Sequence, residues 1–140
     1  VLFSHDTKAD ALARCPFFAG LSRGDLLELA KVSEDMEVEE GKVLTREGQS
    51  GSEFFVIVDG EVSVTKNGQE IRTLGPGDFF GEIALLEDTP RTATVVAKTP
   101  LRFFVLTRRS FRSLLAHQPA LEQKVLAALE ERVRATSESS

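Results

Sequence analysis

Two side chains of opposite charge, Glu82 and Arg91, bracket a stretch able to hold a small anion: GDFFGEIALLEDTPRTATV, residues 77–95. Glu82 to Glu87 are good helix formers in an unbroken run. They begin just after Gly81, whose missing Cβ lets a ligand come close to the backbone. The first N–H groups of a helix have no intrahelical partner and carry partial positive charge. Arg91 returns to the same place after the break at Asp88-Thr89-Pro90, and a guanidinium forks onto two phosphate oxygens. An ionised Glu82 only accepts hydrogen bonds. It suits a sugar hydroxyl beside the phosphate and repels a second phosphate. Helix amides, one Arg and one Glu together describe a ligand with one phosphate and a free ribose hydroxyl. The plain alternative is an ordinary Glu82–Arg91 ion pair, with Gly81 serving only a tight turn.

The elements that must position these groups are mostly short strands. From Met36 to Leu106 apolar runs are separated by Glu40-Gly41, Glu47-Gly48, Asp59-Gly60, Asn67-Gly68, Gly75-Pro76-Gly77 and Thr99-Pro100. Asp59-Gly60 and Asn67-Gly68 are hairpin signals. The runs are Val38–Glu40, Val43–Arg46, Glu53–Val58, Glu61–Lys66, Glu70–Leu74, Thr92–Ala97 and Leu101–Leu106. Val62, Val64 and Ile71 sit at alternating positions on facing runs. Such spacing makes a sandwich, barrel or jelly roll, with Phe54, Phe55, Phe79, Phe80, Phe103 and Phe104 as core candidates. Helices flank this region. One is expected from Asp6 to Arg14, ended by Pro16, and a second from a Ser22 cap with Asp25 in its first turn. A third starts at a Thr107 cap, with Ser110 as an alternative cap, and runs to about His117. The last opens at Pro119 and runs to about Ala135, with a Leu121, Val125, Leu129, Val133 stripe and a Glu130–Arg134 pair. Arg108, Arg109 and Arg112 read as a basic cluster on a solvated face. The polar end, Thr136 to Ser140, reads as frayed.

Composition narrows the function. The 140 residues suffice for one domain with one core. A net charge of −5 argues against a nucleic-acid surface. No apolar run has the length of a membrane span, and no secretory leader is visible. The chain begins at Val1 and reads as a piece whose native start lies upstream. The single cysteine, Cys15, has no internal disulfide partner, which fits a reducing, cytoplasmic setting; among apolar residues it reads as a buried, inert thiol. The only histidines, His5 and His117, fall outside the strand region, so no clustered metal ligands are expected. No phosphate-binding P-loop, dinucleotide fingerprint or nucleophile–base pair is present, so an enzyme is not expected.

The stretch from Phe80 to Val95 resembles the phosphate-binding cassette of the cyclic nucleotide-binding domain family, with the pattern Phe-Gly-Glu-Ile-Ala-Leu followed by Pro-Arg-Thr-Ala-Thr-Val. That family includes regulatory subunits of cyclic-nucleotide-dependent kinases, domains of cyclic-nucleotide-gated channels and the bacterial catabolite activator protein. The resemblance implies an α+β, mainly β fold: a double-stranded β-helix jelly roll in 34–107 holding a cassette at 80–94. N-terminal helices in 1–33 and C-terminal helices in 108–136, including a lid, complete one domain. It implies that Glu82 binds the ribose 2′-hydroxyl and Arg91 the cyclic phosphate. Gly81 and the amides of Ile83, Ala84, Thr92 and Ala93 complete the cradle. Val64 and Ile71 would line the ribose and base side, with Arg72 near the base or, equally, a solvated strand charge. Leu129, Arg132 and Val133 are candidates for the residue that caps the base.

The implied ligand is cAMP or cGMP, with no further cofactor and no metal. A Thr at position 92 is associated in the family with acceptance of cGMP, whereas cAMP is the commoner ligand and the one expected here. The implied function is a sensor that couples ligand binding to movement of the C-terminal helix and passes it to an attached domain or a second copy; a homodimer is left open. Two other readings stand beside it. One is the sensor half of a transcription regulator or channel, although no DNA-reading segment and no membrane span lie within these residues. The other is a scaffold that has lost binding, against which the presence of both Glu82 and Arg91 speaks.

Overall fold

The computed structural model describes residues 3–139, without the side chains of Leu121 and of residues 135–139. The chain opens with α1 (His5–Ala13), a 3-10 turn (Pro16–Phe18) and α2 (Arg23–Val32). Strands follow: β1 (Glu34–Val38), β2 (Val43–Thr45), β3 (Glu53–Asp59), β4 (Val62–Lys66), β5 (Gln69–Leu74) and β6 (Phe79–Phe80). The one-turn helix α3 (Ile83–Leu86) interrupts them before β7 (Thr94–Ala97) and β8 (Leu101–Thr107). Helices α4 (Arg108–Leu115) and α5 (Pro119–Ser139) close the order. No helix among the described residues is long and apolar enough to cross a membrane.

Two four-stranded antiparallel sheets form the roll, in the orders β1-β8-β3-β6 and β2-β7-β4-β5. Their strand patterns differ because their surroundings differ. In β3 and β8, Phe54, Val56, Phe104 and Leu106 pack with the helices, while Phe55, Ile57, Phe103 and Val105 pack toward the second sheet. A sheet covered on both faces reads as a continuous apolar run, as FFVIV and FFVL do. In the second sheet Val62, Val64, Val95 and Ala97 point inward and alternate with partly exposed neighbours, the mark of a half-buried strand.

Local chemistry places the ends. Ser22 and Asp25 form a reciprocal capping box on α2, and the Thr107 side chain accepts from the Ser110 amide at the start of α4. Asn67 and Gly68 both have positive φ, 52° and 80°, and turn β4 into its partner β5. Asp59-Gly60 does not make a hairpin. β3 already lies between β8 and β6, so the chain crosses here into the other sheet. The run expected at Val38–Glu40 is instead the end of a strand, Glu34–Val38, because pairing with β8 over these five residues overrides the propensity of its acidic side chains. Lys8 lies 2.9 Å from Asp35, both side chains 5% exposed, and ties α1 to β1. Arg134 sits 3.7 Å from Glu131, one residue from the partner expected. α5 runs on through residue 139, past the expected end near 135. Of its stripe, Val125 and Leu129 are buried and Val133 is half-buried, while the Leu121 side chain lies outside the described residues.

Candidate functional site

A cavity of about 390 Å³ opens between α3, the inner face of the second sheet and α5. Nine residues singled out in the sequence line it: Gly81, Glu82, Ile83, Ala84, Arg91, Thr92, Ala93, Val64 and Arg72. The tenth, Ile71, does not; it is 54% exposed. The reason is a β-bulge. Val64 faces Arg72 and Thr65 faces Glu70, so Ile71 is the extra residue and drops out of the alternation. Arg72 therefore takes the position opposite Val64 and lines the cavity, while remaining exposed.

The backbone of the cradle is tightly specified. Gly81 has φ +82°, and a Cβ there would lie 2.8 Å from Arg91 Nη1 and 2.8 Å from the Glu53 carbonyl oxygen. This is where a glycine is required. Glu82 then takes helical dihedrals ahead of α3. The Ala84 amide donates to Gly81 and the Leu85 amide to Glu82, leaving earlier N–H groups directed out of the helix end.

Arg91 is placed by residues far from it in sequence. Its amide donates to the Gln49 carbonyl at 2.8 Å, and its own carbonyl accepts from the Gly48 amide at 2.8 Å. Its Nη2 donates to the Glu53 carbonyl at 2.9 Å, and its Cζ stands 5.7 Å from the Phe55 ring centroid. Gly51 leaves room for the guanidinium, since a Cβ there would lie 2.4 Å from Arg91 Nε. Among the described residues no carboxylate lies within ion-pair distance of Arg91. Burial pulls its pKa down; the charge of Glu53 opposes this and that of Arg108 adds to it. The result is a half-buried cation held by a neutral carbonyl at a positive helix end.

Glu82 does not pair with Arg91. Its Oε1 accepts from Arg132 Nε at 2.6 Å, and its side chain is 15% exposed. Arg132 comes from α5 and lies 5.1 Å from the Phe79 ring centroid and 5.8 Å from that of Phe17. Of the three capping candidates, only Arg132 reaches the cavity. Thr45, Leu74, Thr89, Pro90 and Val95 also line it without having been expected there, as do Phe79 and Phe80, expected only as core residues. The Thr45 hydroxyl donates to the Ala93 carbonyl at 3.0 Å, a pairing between distant residues with no local signal.

The family profile described as Cyclic nucleotide-binding domain matches residues 35–118. The chain is 40% identical over 106 residues to the cAMP-dependent protein kinase regulatory subunit of Yarrowia lipolytica, covering 74% of this chain and 28% of that one. It is 36% identical over 126 residues to the cGMP-dependent protein kinase egl-4 of Caenorhabditis briggsae, covering 85% of this chain and 17% of that one. The cAMP-bound structure of PfPKA-R superposes with a TM-score of 0.69 at 27% identity, covering 91% of this chain and 46% of that one. This chain belongs to the cyclic nucleotide-binding domain family. It spans less than a third of the length of these curated relatives.

Proposed function

We propose that this chain binds a cyclic nucleotide, cAMP in preference to cGMP, and acts as a regulatory sensor domain rather than an enzyme. The observation that carries this reading is Arg91: a half-buried guanidinium beside the N-terminal end of α3, held by a carbonyl oxygen and facing a cavity. An anion there gains a charge-assisted hydrogen bond and the helix-end amides together. The cyclic phosphate docks on Arg91 and the amides of Ile83, Thr92 and Ala93, with the Ala84 amide shared with the Gly81 carbonyl to which it already donates. The ribose 2′-hydroxyl donates to Glu82. A carboxylate accepts several hydrogen bonds, so Glu82 receives the ribose while keeping Arg132. The base lies toward Val64, Arg72 and α5. Ligand binding then favours the arrangement in which α5 is held against the cradle, and it shifts the population by its preference for that state.

The experiment is calorimetric titration of nucleotide-free protein with cAMP, cGMP and 5′-AMP. Saturable one-to-one binding of cAMP, weaker binding of cGMP and none of 5′-AMP is the expected result. Tighter binding of cGMP would assign the other messenger, with the Thr92 hydroxyl at the cavity wall as its natural contact. No binding of either would leave a scaffold of the same fold.

A further inference from the structure

Helix α3 has only four residues, Ile83–Leu86. A helix this short does not hold itself together, yet the proposed cradle depends on where its amides point. Its C-terminal carbonyls lack intrahelical partners, and the residue after it, Glu87, is extended, with φ −153° and ψ 161°. Two side chains of α4 meet this end. Arg108 Nη1 donates to the Ala84 carbonyl at 3.2 Å, and Arg112 Nη2 donates to the Leu86 carbonyl. Four residues apart, they share one face of α4, and positive charge at a helix C-terminus is favourable. Arg109, between them, is exposed. The basic cluster that reads from sequence as one solvated face is thus divided: two members turn onto α3 and one turns to water.

We propose that Arg108 and Arg112 are positioning residues of the anion cradle. By holding the carbonyls at the far end of α3, they aim the Ile83 amide at the phosphate, and they tie α3 to α4 and so to α5. This rests on the reading that the cradle binds a cyclic nucleotide. A purely structural role would lower stability without a local effect at α3. Arg108 is also close enough for its charge to be felt at Arg91, so its removal carries two effects and Arg112 is the cleaner probe.

The test uses R112A, R108A, the milder R112K, and R109A as a control that removes the same charge from the same helix. Ligand-free amide hydrogen exchange is read at Leu85 and Glu87, whose N–H groups close α3, against β3 amides in the same protein. Affinity for cAMP and cGMP is measured by calorimetry. R112A is expected to speed exchange at Leu85 and Glu87 with β3 unchanged, and to weaken nucleotide binding roughly tenfold, about one hydrogen bond to a charged group. R112K, which keeps a donor, should recover part of both, and R109A should change neither. Unchanged α3 exchange and affinity in R112A and R108A would overturn the inference, as would an equal loss of affinity in R109A. If R112A does not fold, R112K and R108A carry the comparison. If the parent binds neither nucleotide, the reading of the site fails, and the ligand-free exchange still decides whether the two arginines hold α3.

Discussion

Arg91 is held from several sides by residues of other elements. Its backbone is fixed by Gly48 and Gln49, its guanidinium by Glu53, and its space by Gly51 and Gly81. Removing a half-buried charge that meets a ligand's opposite charge costs roughly 2–5 kcal/mol of binding. Arg91→Ala is therefore expected to lose that much affinity for cAMP by calorimetry, and Glu82→Ala less, since Glu82 faces a neutral hydroxyl. Equal binding by Arg91→Ala and the parent would remove this cradle as the phosphate site. Gly51→Ala tests the same residue from behind. It keeps the charge and takes its space, so affinity should fall toward the Arg91→Ala value while the fold persists.

Among the elements, the helices show how closely local rules were obeyed. The capping box of Ser22 and Asp25 lies where the sequence puts it, and Ser22→Ala should cost roughly 1 kcal/mol in urea denaturation. A loss within error would mean that packing of Leu26, Leu29 and Ala30 alone holds α2. The strands obeyed local rules less closely. The bulge at Ile71 reverses which of two neighbouring residues faces the cavity, and Asp59-Gly60 serves a crossing between sheets where its composition signals a hairpin. In both places the decision belongs to the partner strand, which lies outside the local window. The Lys8–Asp35 pair is a third case. Nothing in the first helix marks Lys8 as buried until β1 is laid against it.

At the scale of the whole molecule, the Glu82–Arg132 contact joins the cavity wall ahead of α3 to α5 across 50 residues of sequence. α5 also packs on the 3-10 turn beside Cys15, which is 1% exposed. Burial, with the nearby charge of Glu82, pushes the Cys15 thiol up to about 12, so it is neutral and unreactive near neutral pH. Its labelling by a thiol reagent therefore reports opening. Arg132→Met keeps the aliphatic contact with Phe79 and Phe17 and loses the ion pair. It should label Cys15 faster than the parent, and cAMP should slow labelling of the parent more than of the variant. Identical rates with and without cAMP would mean that ligand binding does not hold α5 over Cys15.

The sequence by itself determined the glycine and short helix at 81–86, the order of helices around a roll of short strands, and most of the caps and turns that start or end them. These are local: Gly81, the run from Glu82 and the Asn67-Gly68 turn act within a few residues of themselves, whereas Arg91 is placed by Gly48, Gln49 and Glu53. Only the tertiary structure decided that Glu82 meets Arg132 rather than Arg91, that Arg72 and not Ile71 faces the cavity, and that Arg108 and Arg112 turn onto α3. Each of these is a choice among partners of suitable chemistry, and a side chain's partner is set by the register and packing of elements far apart in the chain.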